Sequence, residues 1–199
     1  MTEKEKMLAH ELYDANFDVE LVEERSKCKN LCFKFNNVLR YDDFDGRVNI
    51  LSKLFGRMGN NVHIEPPFWC DYGWSIRIGD NFYSNHGLTV LDAGGVEFGD
   101  NVFLGPHCGF YTSGHPFDAK QRNIGLEYAW PISIGNNVWM GAAVHVLPGV
   151  AVGDNSIIGA GSIVTQSIPS DCLAVGNPCR VVRQLTNSDM ERKWHFKGF

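Results

Sequence analysis

Apolar and polar positions recur every six residues over 134–169. The hexads are Ile134-Gly135-Asn136-Asn137-Val138-Trp139, Met140-Gly141-Ala142-Ala143-Val144-His145, Val146-Leu147-Pro148-Gly149-Val150-Ala151, Val152-Gly153-Asp154-Asn155-Ser156-Ile157, Ile158-Gly159-Ala160-Gly161-Ser162-Ile163 and Val164-Thr165-Gln166-Ser167-Ile168-Pro169. Every first position is aliphatic or Met, the second is Gly in four of the six, and the fifth is small or β-branched. A period of six fits neither the 3.6 of a helix nor the simple alternation of a long strand. It fits a short strand plus a corner, three hexads to a triangular coil, which predicts a parallel β-helix. First-position side chains then point inward and stack coil on coil, and the fifth position shares that narrow interior.

The same unit appears earlier, as Ile78-Gly79-Asp80-Asn81-Phe82-Tyr83 and Phe98-Gly99-Asp100-Asn101-Val102-Phe103. The coil is expected to begin near Val62. The interval from 78 to 98 is twenty rather than eighteen, which implies a two-residue insertion at one corner, near Gly94-Gly95. Residues 112–131 break the period with charges and Pro and are expected to be a loop thrown out of the coil. A long loop in a compact domain usually serves function.

Three regions follow: a helical segment over 1–58, the coil over 59–185 with its extruded loop, and a short helix or tail over 186–199. In the first, Thr2 with Glu5 makes a capping box. A second helix is expected over 18–39, with Leu21, Cys28, Leu31, Cys32 and Phe35 on one face. A third starts at Asp43 or Asp45 and carries Val48, Ile50, Leu51, Leu54 and Phe55. Thr186 with Asp189 caps a final helix ending near Phe196, placed to cover the open end of the coil.

Charge and composition narrow the class. A net charge of −5 argues against nucleic acid as partner. No apolar run of 18 residues predicts a membrane span, and Met1-Thr2-Glu3-Lys4-Glu5-Lys6 lacks the apolar core of a secretory signal. Six irregularly spaced cysteines, with no C-x-x-C, point to a reduced, cytoplasmic protein, with Cys28 and Cys32, four apart on one helix face, as core residues.

Of seven histidines, His115 stands at the root of the extruded segment, between Gly114 and Pro116. A neutral imidazole there can take a proton from a hydroxyl. Glu127, in the same segment, is a candidate to orient the ring from its far nitrogen.

Ile64-Glu65-Pro66-Pro67, Asp80-Asn81-Phe82-Tyr83-Ser84-Asn85, Gly114-His115-Pro116, the hexads, and Gly176-Asn177-Pro178-Cys179-Arg180-Val181-Val182-Arg183 together resemble the galactoside and maltose O-acetyltransferases over nearly the whole chain. The hexads are common to many acyltransferases, whereas the G-H-P and N-P-C-R segments are more specific. The resemblance implies a left-handed winding, acetyl-CoA as cosubstrate with no metal, a homotrimer, and sites between subunits. It implies His115 as general base and Asn85 as oxyanion support. Asp14, Asp71, Tyr83 and Asp92 or Ala93 would line an acceptor pocket for a sugar. Asp71 and Ala93 depart from the hydroxyl and acidic residues of several galactoside enzymes. Trp139, Ala142, Ala160, Thr165, Gln166, Arg180 and Arg183 match a coenzyme A groove. Other readings are acetylation of an antibiotic, a zinc carbonic-anhydrase-like enzyme using His86, His107 and His145, and a non-catalytic solenoid.

Overall fold

Three parallel sheets wrap a single interior in the computed structural model, which describes residues 1–191. The first face comprises Arg57–Met58, Ile76–Ile78, Val96–Phe98, Ile132–Ile134 and Ala151–Val152. The second runs through His63–Ile64, Tyr83–Ser84, Phe103–Leu104, Trp139–Met140, Ile157–Ile158 and Cys172–Val175, and ends on the antiparallel strand Arg180–Gln184. The third holds Phe68–Cys70, Leu88–Leu91, Gly109–Tyr111, His145–Val146 and Ile163–Val164. The coil therefore starts at Arg57, earlier than Val62.

The hexad rule holds in the interior. First-position Ile134, Met140, Val146, Val152, Ile158 and Val164 are buried, as are fifth-position Val138, Val144, Val150, Ser156, Ser162 and Ile168. Removing each large apolar side chain from water contributes about 1.5–3 kcal/mol. The interior of the earlier coils is filled by larger side chains: Phe98 packs edge-on against Phe82 at 5.1 Å and against Phe110 at 4.8 Å.

The recurring Gly-Asp/Asn-Asn builds the corner between the first and second faces. Asn61, Asn81, Asn101, Asn137 and Asn155 sit at φ of 55–58°, a left-handed conformation that Asn tolerates. Their amides form a ladder from Asn61 to Asn81, Asn101, Asn137 and Asn155, with steps of 3.0–3.1 Å, ending on the Asp171 carboxylate at 2.8 Å. The glycine before each pair lets successive coils approach. A Cβ on Gly99 would lie 2.8 Å from the Gly135 carbonyl carbon and 2.6 Å from Asn136 Oδ1. Gly99→Ala is expected to lower stability by about 1–3 kcal/mol through this overpacking, read as a lower urea midpoint. An unchanged midpoint would mean that the coils can separate there at no cost.

The corner from the third face to the first is where the coils differ. Val146 and Val152 are inward positions six residues apart. The equivalent pairs are Cys70 and Ile78, and Val90 and Phe98, each eight apart. In the next coil Phe110 and Ile134 are twenty-four apart. The expected insertion at Gly94-Gly95 is thus present, and the coil before it carries the same one. The largest excursion is not an irregular loop. Ser113–Gly114 pairs antiparallel with Leu126–Ala129, a short helix (Ala119–Asn123) joins them, and Tyr13–Asp14 adds a third strand at the edge.

That added strand corrects the all-helical reading of 1–58. Helix α1 (Glu3–Leu8) carries the Thr2–Glu5 capping box. Helix α2 (Val19–Asn37) starts at the Asp18 cap, and α3 (Phe44–Leu54) at the Asp43 cap. Cys28, Cys32 and Phe35 of α2 and Ile50, Leu51 and Leu54 of α3 join the core of the first coil. Phe35 and Phe55 meet Phe68 edge-on at 6.4 and 5.7 Å. Val48 is exposed rather than on the buried face; the buried neighbour is Arg47, whose guanidinium stacks over Phe35 at 5.0 Å. At the other end, the helix Asn187–Met190 carries the Thr186–Asp189 capping box. His195 and the expected helix end near Phe196 lie outside the described residues.

Candidate active site

The three enlarged corners stack, and a cleft of about 350 Å³ opens over them. Asp71 and Tyr72 come from the first corner, Ala93 from the second, and His115 and Glu127 from the third. Arg25 and Lys29 of α2 and Tyr13 of the added strand complete the wall.

His115 is fixed by its own hairpin. Nδ1 donates to the Leu126 carbonyl at 2.9 Å. A carbonyl only accepts, so the proton sits on Nδ1 and the Nε2 lone pair is left to act as a base. Gly114 permits this path, because a Cβ there would fall 2.4 Å from the Tyr128 hydroxyl. Glu127 does not hold the far nitrogen, as the sequence suggested; backbone does. Its Oε1 lies 3.9 Å from Nε2, the basic nitrogen. Tyr13 donates to Glu127 Oε2 at 3.2 Å, and burial pushes the Tyr13 phenol up, keeping it neutral. The carboxylate is therefore held where an imidazolium formed at His115 would be stabilised.

Asp71 lines the cleft, and burial pushes its carboxyl up to about 6, with Asp92 adding to the effect. Asp92 is itself wholly buried and contributes no surface for an acceptor. One of its oxygens accepts from the backbone N–H groups of Asp71 and Tyr72, both at 2.9 Å, and the other from Gly73 N–H at 2.7 Å and the Ser75 hydroxyl at 2.5 Å. Asp92 positions the corner that presents Asp71. Asp14 does not line the cleft within the chain, and its Oδ1 accepts from the Asn16 and Phe17 N–H groups at 3.0 Å. Its neighbours Tyr13 and Asn16 line the cleft instead.

Asn85 and Tyr83 lie elsewhere in the chain. Tyr83 is on the second face, stacked on His63 at 5.7 Å. Asn85 follows at the corner to the third face, where its Oδ1 accepts from His86 N–H at 2.8 Å. Neither borders the His115 cleft of its own chain.

The expected coenzyme A residues are similarly divided. Trp139 is exposed on the second face, in register with Phe103 and Ile157. Ala142 and Ala160 stack at the corner between the second and third faces, where a Cβ on Gly141 would lie 2.7 Å from the Ala160 nitrogen. Thr165 and Gln166 are exposed at the next corner, after Ile163–Val164. Arg180 is exposed on the final strand. Arg183 is engaged by Asp189 through two bonds of 2.7 Å, which hold that carboxyl below its ordinary range. The pairing ties Arg183 to the residues of the final helix, a contact the sequence did not signal.

His86, His107 and His145 do not converge within the chain. His86 bonds the Pro66 carbonyl and His145 the Tyr111 hydroxyl. Among the described residues the group close enough to share a metal ion is Cys28, Cys32 and Cys70. Sequence reasoning missed Tyr13, Asn16, Arg25 and Lys29. Arg25 and Lys29, four apart on one helix face, left a spacing signal; Tyr13 and Asn16 left none.

Two family models match the chain: the maltose acetyltransferase hexapeptide capping motif over residues 6–59 and the hexapeptide repeat of succinyl-transferase over 131–166. The galactoside O-acetyltransferase of Escherichia coli (strain K12) is 42% identical over 179 residues, covering 90% of this chain and 87% of that protein. The chain belongs to the galactoside and maltose O-acetyltransferase family. Its coil is that family's left-handed parallel β-helix, and the protein is an acetyltransferase. A maltose O-acetyltransferase structure from Clostridium difficile 630 superposes with a TM-score of 0.91 at 49% identity, over 94% of this chain and 98% of that one. A galactoside acetyltransferase solved in complex with coenzyme A gives 0.93 at 40% identity, over 100% and 98%. Among the described residues, no helix of this acetyltransferase is long and apolar enough to cross a membrane.

Proposed function

We propose that the protein moves an acetyl group from acetyl-CoA to a hydroxyl of a sugar-like acceptor held in the His115 cleft. The observation that carries this reading is the tautomer of His115: the Leu126 carbonyl holds the proton on Nδ1 and leaves Nε2 as the base. Nε2 takes the hydroxyl proton as the acceptor oxygen attacks the thioester carbonyl. The tetrahedral intermediate collapses with loss of the coenzyme A thiolate, which recovers the proton from His115. Glu127 stabilises the imidazolium between those two transfers, and both substrates bound together make the step effectively unimolecular. Asp71, Glu127, Arg25, Lys29 and Asn16 offer a dense set of hydrogen-bonding groups, which suits a polyhydroxylated acceptor.

The protein acts in this reading as a homotrimer. Asn85 and Tyr83 of one subunit complete the cleft of its neighbour, where Asn85 supports the developing oxyanion. The pantetheine arm lies between subunits, along the small residues Ala142 and Ala160. Trp139 walls the groove, with Thr165 and Gln166 from the adjacent corner, and Arg180 faces phosphate. The resemblance to the coenzyme A complex supports this placement. Thiol release from acetyl-CoA, measured across a panel of mono- and disaccharides, amino sugars and hydroxylated antibiotics, tests the acceptor class. Fastest turnover with a sugar is expected. Turnover confined to an antibiotic would replace the sugar, and no turnover with any hydroxyl acceptor would reject O-acetylation.

A further inference from the structure

Cys28, Cys32 and Cys70 converge behind the cleft, where α2 crosses the first coil. Cys28 and Cys32 are one helical turn apart on α2, and Cys70 ends the strand Phe68–Cys70. The Cys70 sulfur lies 3.4 Å from that of Cys28 and 3.7 Å from that of Cys32, and all three lie within 4.8 Å of one another. All three are buried, and no disulfide joins them. The remaining cysteines do not gather: Cys108 bonds the Gly141 carbonyl and Cys172 the Ser170 carbonyl. Small apolar packing explains single buried cysteines. It does not explain three thiols aimed at one point from two separate elements.

We propose that Cys28, Cys32 and Cys70 form a binding site for a soft metal ion of the Cu(I) or Zn(II) class, clamping α2 to the first coil. Three sulfurs without an oxygen ligand in the group exclude hard cations such as Mg²⁺ or Ca²⁺ and select thiophilic ones. With metal–sulfur bonds of about 2.3 Å, ligand sulfurs stand roughly 3.8–4.0 Å apart, so the two spacings to the Cys70 sulfur need to open by only a few tenths of an ångström. Each thiol that ligates gives its proton to solvent. The ligands flank the acceptor wall directly: Lys29 follows Cys28, and Asp71 follows Cys70. An ion at this point would fix the helix and the corner that carry those two groups.

The test titrates the full-length protein, reduced with a phosphine under anaerobic conditions, with Cu(I) against a chromophoric chelator, and separately with Zn(II). One equivalent of one of these ions per chain is expected, with a rise in melting temperature that grows with its concentration. X-ray absorption should count three sulfur neighbours. Cys32→Ser should weaken binding by on the order of 10²-fold or more, since even second-layer partners cost 10–100-fold. Cys28→Ala, which keeps the site small and apolar, reads the same ligand loss should the serine variant not fold. Cys108→Ala should bind like the wild type. Failure of both ions to bind stoichiometrically overturns the proposal, as does binding that survives in folded Cys32→Ser or Cys28→Ala. Uptake of Zn(II) but not Cu(I), with three sulfurs counted, supports the site and names its ion.

Discussion

Replacing His115 by Ala is expected to lower kcat by about 10²–10⁴, the usual contribution of a positioned base. The fold should survive. The ring is half exposed, takes no part in a hexad interior position, and the hairpin around it is held by backbone pairs between Ser113–Gly114 and Leu126–Ala129. The KM for acetyl-CoA should change little, because the residues assigned to that substrate lie at other corners. Circular dichroism and steady-state kinetics decide the matter. A folded variant with near wild-type turnover would sink the base assignment and the mechanism with it.

How much of this was legible in the sequence depends on how local each feature is. The hexads carry their own geometry: Ile134, Met140 and Val146 recur at fixed spacing because each coil repeats the same inward position. Helix starts at Thr2, Asp18 and Asp43 were legible for the same reason, since a cap involves residues three apart. The cleft is not local. Tyr13 reaches Glu127 across 114 residues, and the pairing that brings them together is a two-residue strand with no pattern of its own. Asp92 was read as lining the acceptor pocket, yet it is a wholly buried side chain that shapes a corner. A carboxylate looks the same in sequence whether it faces solvent or four donors. Glu127 lies beside His115 in space, with Oε1 3.9 Å from Nε2, rather than at the nitrogen expected from the sequence. Ring orientation here is set by a backbone carbonyl, and every residue has one.

Mixing two inactive variants is expected to restore activity if the sites lie between subunits. Asn85 is the residue on which this turns. In one chain it sits at the corner between the second and third faces, whereas His115 stands over the corner between the third and the first. Asn85→Ala alone should lower kcat by about 10²–10³, the range for loss of one oxyanion donor. Folding His115→Ala and Asn85→Ala chains together places both lesions in the same assemblies. A site formed by His115 from the Asn85→Ala chain and Asn85 from the His115→Ala chain is intact, while the opposite pairing is doubly damaged. In a cyclic trimer of randomly mixed chains each interface has about a one-in-four chance of being intact, so activity should recover to about one quarter of wild type. Mixing the two after folding, without exchange of chains, should recover nothing. Sedimentation equilibrium on the same samples reports the assembly directly. A trimer whose co-folded mixture stays as inactive as its parents would show that Asn85 and His115 do not meet across an interface. A monomer would remove the shared site altogether, leaving the oxyanion to be held by donors within the His115 cleft.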